Sequence, residues 1–103
     1  MPENLAKDLL ALSQQLLDAI AAADWARYQE MCDPSLTCFE PEALGQRVEG
    51  LDFHQFYFKL GAAKDHHCTT MASPHVRVMG DVAVVTYVRL NQRVSAEIGR
   101  AHV

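Results

Sequence analysis

The sequence predicts an α+β domain, with helices leading and a curved antiparallel sheet following. Three observations predict it. Apolar residues recur at three and four from Leu5 to Ile20. The period of the pattern changes from about 3.6 to 2 near residue 65. Two long segments rich in valine and threonine, 68–79 and 82–93, then flank Gly80-Asp81, a glycine-first pair suited to a type II′ hairpin turn.

The first helix is expected over 4–23. Leu5, Leu9, Leu12, Leu16 and Ile20 form its stripe, and Leu10 and Leu17 widen it. The rest is alanine, leucine, glutamine and lysine, all good helix formers. Asp24 is an N-cap for a second helix over 24–31 carrying Trp25, Tyr28 and Met31, and Trp25 anchors the corner between the two. Asp33-Pro34 ends that helix. Leu36–Phe39 is a short strand, and Glu40–Gly50 a loop with one short strand near Arg47 and Val48. A third helix is expected over 50–61, with Asp52 able to cap it and Phe53, Phe56, Tyr57 and Leu60 on one side. The hairpin strands, 66–79 and 82–94, exceed the usual five or six residues, which implies a strongly bent sheet.

At 103 residues, half of them hydrophobic and 21% charged, the chain has the size and composition of one globular domain. No run approaches the 18 or so apolar residues of a membrane helix. The start, MPENLAKDLL, is not a secretory signal, so a cytoplasmic protein with no membrane partner is expected. The net charge of -4 disfavours nucleic acid. That charge is uneven: residues 1–52 carry ten acids and three bases, residues 53–103 three acids and six bases. The two halves are compatible with an assembly. Cys32, Cys38 and Cys68 cannot all pair within the chain and form no CxxC, so reduced, buried thiols are expected.

Glycine-rich phosphate loops, HExxH and GxSxG are absent. His66-His67 are adjacent in a loop and point apart, a poor chelate, and neither a metal nor a cofactor is expected. His54 has Gly50 and Phe58 one turn away and no acid at i±4. It fits a buried structural histidine or a pocket histidine. Arg89 shares a strand face with Val85, Tyr87, Asn91 and Arg93. It fits a solvated strand face or a cavity where its guanidinium would grip a carboxylate in a fork. Glu40, Glu42 and Asp52 lie near the third helix in sequence, but the sequence does not bring them together.

The runs CDPSLTCFEPEALGQRVEGLDFHQFYF, SPHVRVMGD and VVTYVRLNQ resemble the association, or hub, domain of calcium/calmodulin-dependent protein kinase II. The helix corner DAIAAADWARYQEMCDP is similar too, so the resemblance runs from about Leu9 to Gln92. With no kinase core before it, the chain looks like the free-standing bacterial relatives. The resemblance implies the cone-like fold of the nuclear transport factor 2, SnoaL-like and ketosteroid isomerase group, in which a long helix crosses a curved sheet and closes a pocket. It implies a non-catalytic module that self-associates as a dimer or ring. It also implies a pocket that takes small carboxylates related to gamma-hydroxybutyrate. Carried onto this sequence, the pocket positions are His54, Tyr57, Phe58 and Arg89. The family's last two strands and their two pocket arginines have no counterpart here. Residues 1–96 are therefore expected to be an incomplete association domain. EIGRAHV, residues 97–103, reads like a translated sequencing adaptor and is expected to be a non-native tail. The alternative function is a small-molecule isomerase, dehydratase or cyclase of the same superfold.

Overall fold

The computed structural model describes residues 4–61, 67–94 and 101–102. Helix α1 (Asn4–Ala21) leads to α2 (Trp25–Met31), strand β1 (Thr37–Phe39), a 3-10 turn at Pro41–Ala43, strand β2 (Arg47–Glu49) and α3 (Asp52–Phe58). The long hairpin β3 (His67–Met79) and β4 (Val82–Val94) follows, with a two-residue strand, β5 (Ala101–His102), antiparallel to β4. The expected helices and hairpin strands are present, with no end shifted by more than three residues. Of the expected non-native tail, 97–103, only Ala101–His102 fall within the described residues.

The end of α1 makes the corner. The amide of Ala23 donates to the carbonyl of Ile20 at 3.1 Å and that of Asp24 to Ala19 at 2.8 Å. With Ala23 at φ 54, this is a Schellman ending with alanine where glycine is usual. Asp24 then caps α2, its carboxylate accepting from the amide of Arg27 at 3.1 Å. Asp52 does not cap α3: it is the first helical residue, Leu51 holds the cap position, and no side chain bonds there.

Strand β1 pairs antiparallel with β2, Cys38 opposite Val48. In the larger sheet, Thr69 faces Asn91 and Met71 faces Arg89. The register shifts between Ala72 and His75, where Ser73 sits at φ 50 before Pro74. One extra residue on β3 there is a bulge, and bulges bend a sheet. At the far end Gly80 takes φ 61 and Asp81 does not turn positive, as a type II′ turn requires.

Helix α1 lies against the sheet face that carries Thr69. Gln14 Nε2 donates to the Thr69 carbonyl at 2.6 Å, and Leu17, Ala19 and Thr69 are buried. The opposite face is open: Met79, Val82, Val84 and Val88 are exposed. Two expectations are corrected. The stripe of α3 that packs is not the whole aromatic row, since Phe56 and Leu60 are 61% and 69% exposed and the buried residue is His54. A seven-residue helix resting on one corner buries only the side beneath that corner. The cysteines are free, as expected, but none is fully buried: Cys32 and Cys38 are half-buried, and Cys68, near the start of β3, is exposed.

Candidate functional site

A cavity of about 270 Å3 lies between the helix corner, the β1–β2 loop, α3 and β4. His54, Tyr57, Phe58 and Arg89 all line it, and so do Tyr28, Glu40 and Glu42. The corner supplies one wall. Trp25 packs on Tyr28 with ring centroids 5.9 Å apart, and Phe58 meets Tyr28 at 4.7 Å and Trp25 at 5.2 Å. Trp25 is thus the packing anchor its position implied.

His54 joins three segments. Its Nδ1 stands 3.4 Å from the Tyr28 hydroxyl and 4.0 Å from Glu40 Oε1, and its Nε2 3.2 Å from Cys38 Sγ. The two readings of His54 therefore merge, because it is buried, it has polar partners, and it faces the cavity. Cys38 and Glu40 reach it from one side of an extended segment. Residues two apart on a strand point the same way, and Glu40 keeps extended angles, φ -119 and ψ 144. Thr37 and Phe39 point outward and are exposed. Burial pushes the Tyr28 hydroxyl well above its ordinary range. Burial also raises the Cys38 thiol, with the neighbouring Glu40 charge adding to it. Cys32 is raised by burial and partly relieved by a hydrogen bond with Tyr28.

Arg89 stands on the face of β4 that looks toward the helices, opposite Met71 and lining the cavity, but its side chain is exposed to solvent. A guanidinium that keeps water does not demand an ion to offset burial. Among the described residues no carboxylate lies within ion-pair distance of it.

The sequence reading missed Tyr28, Glu40 and Glu42 as pocket residues and Cys38 as a partner of His54. The alternation through Thr37-Cys38-Phe39-Glu40 was the available signal for the inward pair. Nothing local signals that His54 meets them, because that contact depends on how α3 docks.

A long helix on the concave face of a bent antiparallel sheet, with an aromatic pocket at the helix corner, defines a hub-type α+β domain. The calcium/calmodulin dependent protein kinase II association domain family matches residues 5–103, and the chain belongs to it. The chain is 47% identical over 97 residues to calcium/calmodulin-dependent protein kinase type II of Caenorhabditis elegans, covering 93% of this chain and 13% of that protein. Two solved structures are similar throughout. The CaMKII hub homology domain of Chlamydamonas reinhardtii is 53% identical with a TM-score of 0.83, covering 94% of this chain and 77% of that one. The association domain of C. elegans CaMKII is 46% identical with a TM-score of 0.82, covering 93% and 74%. The matched region of the kinase is thus its association domain, and the isomerase alternative gains no support. Among the described residues no helix is long and apolar enough to cross a membrane.

Proposed function

We propose that the chain is a non-catalytic self-association module whose pocket accepts a small carboxylate. The observation that carries self-association is the open outer face of the β3–β4 hairpin. Met79, Val82, Val84 and Val88 are 46%, 61%, 45% and 57% exposed on one face. An exposed apolar face on a long antiparallel pair is a surface for burial against another sheet or helix. Membership of an association-domain family supports a second copy of the chain as the partner. Light scattering at tens of micromolar tests this: a particle of twice 11.5 kDa or more is expected, and a monomer refutes it.

The ligand reading rests on Arg89 at one part of the cavity and Glu40 and Glu42 elsewhere in it. A short hydroxy acid suits this arrangement, with its carboxylate on the guanidinium and its hydroxyl donating to a glutamate. With one exposed arginine, binding belongs in the micromolar to millimolar range, about 4–8 kcal/mol. Calorimetric titration with short hydroxy acids, beside Arg89→Ala, tests it. Loss of heat in the variant is expected, and equal responses from both proteins, or none from either, refute it.

A further inference from the structure

Cys38, Glu40 and His54 each present one donor atom, and these atoms all lie within 4.8 Å of one another. We propose that they form a zinc site, with Cys38 Sγ, Glu40 Oε1 and His54 Nε2 as ligands and a fourth position open to the cavity. The inference shares Glu40 and the cavity with the carboxylate reading but depends neither on it nor on self-association.

The spacing fits the ion. Zinc takes thiolate sulfur at about 2.3 Å, imidazole nitrogen at about 2.0–2.1 Å and carboxylate oxygen at about 2.0–2.2 Å, usually in a tetrahedron. A tetrahedral angle between such bonds puts sulfur about 3.6 Å from both the nitrogen and the oxygen. Here Cys38 Sγ is 3.2 Å from His54 Nε2 and 3.7 Å from Glu40 Oε1. Glu40 Oε1 stands 4.0 Å from His54 Nδ1, the ring nitrogen on the Tyr28 side, so the Glu40 carboxylate has to swing toward Nε2 to complete the tetrahedron.

The chemistry fits too. A thiolate and an imidazole select zinc over calcium or magnesium, which prefer oxygen. One thiolate and one carboxylate neutralise the dication, so the half-buried site carries no net charge. The thiol proton passes to solvent on binding. The orienting partner is already placed. A ligating histidine normally donates its other ring N–H to an oxygen, which fixes its tautomer. His54 Nδ1 has the Tyr28 hydroxyl at 3.4 Å for this purpose. Two ligands come from a paired strand and its extension, and the third is a buried residue of a helix. None rests on a free terminus.

The test uses the reduced, metal-free chain. Zinc chloride is titrated by calorimetry, and cobalt(II) is titrated with optical detection. One metal per chain is expected, with a thiolate-to-cobalt charge-transfer band and the intense visible bands of four-coordinate cobalt. Cys38→Ser abolishes the charge-transfer band, while Cys32→Ser and Cys68→Ser leave it unchanged. Glu40→Gln weakens zinc at least about tenfold, and Tyr28→Phe weakens it about 10–100-fold as an orienting partner. Should Cys38→Ser fail to fold, Glu40→Gln carries the test, since that side chain is 37% exposed. Absence of heat and band, a band that survives Cys38→Ser, or a band that depends on Cys68 overturns the proposal.

Discussion

Replacing Ala23 by glycine should stabilise the protein, although glycine inside a helix ordinarily weakens it. Ala23 holds φ 54 at the Schellman ending of α1. A residue with a Cβ there carries roughly 1–2 kcal/mol of left-handed strain. Glycine removes that strain and adds about 0.4–1 kcal/mol of unfolded-state entropy. The difference is a net gain of about 0.5–1 kcal/mol. The hydrogen bonds from Ala23 and Asp24 to Ile20 and Ala19 use backbone groups and are untouched. Urea unfolding at one fixed protein concentration is the assay, because self-association would make the midpoint concentration-dependent. For a domain of this size the gain corresponds to a rise in Tm of roughly 2–8 °C. If α1 instead continued through Ala23, the substitution would cost about 1 kcal/mol. A lowered midpoint at unchanged m-value therefore refutes this account of the corner, and with it of how Trp25 and Tyr28 are aimed.

Tyr28→Phe keeps the ring contacts with Trp25 and Phe58 and loses only the hydroxyl beside His54. It should cost about 1 kcal/mol in urea unfolding, against about 3–5 kcal/mol for Tyr28→Ala, and equal costs would show that the hydroxyl, not the ring, holds the corner. The Asp33 carboxylate accepts from the Ser35 amide and hydroxyl at 2.8 and 2.7 Å, which lowers its pKa. Its stabilisation is present above the ordinary carboxylate pKa and is lost as pH falls through the lowered native value. Asp33→Asn should therefore flatten the urea midpoint against pH below about pH 4, and an unchanged slope would contradict this. Burial raises the thiols of Cys32 and Cys38, so their protonated forms favour folding until pH rises through the native values. Iodoacetamide at mildly alkaline pH should label both more slowly in the native protein than in urea, as read by mass spectrometry, and equal rates would contradict the burial.

The helices and hairpin were legible because their signals are local. The α1 stripe, the Asp24 cap and the Gly80-Asp81 turn each lie within a few residues of what they control. The bulge was less so: Ser73-Pro74 stands in the sequence, but one added residue is visible only against the partner strand's register. The left-handed Ala23 had no glycine to announce it. His54 and Arg89 stood out as polar residues in apolar segments. Their partners did not, because Tyr28, Cys38 and Glu40 reach His54 through the docking of the corner, β1 and α3. The exposure of Arg89 depends on how the helices dock on the sheet, which no strand pattern encodes.

The central claim is that the outer face of the β3–β4 hairpin joins copies of this chain. Sedimentation equilibrium on the double variant Val84→Lys/Val88→Lys tests it most directly, with Arg89→Ala on the face toward the helices as control. Both valines are exposed on one face, 45% and 57%, so lysine there leaves the fold intact while placing charge in the joint. The unaltered chain and Arg89→Ala should sediment as oligomers and the double variant as a folded monomer. An oligomer that persists in the double variant, or an unaltered chain that sediments as a monomer at tens of micromolar, would contradict the account.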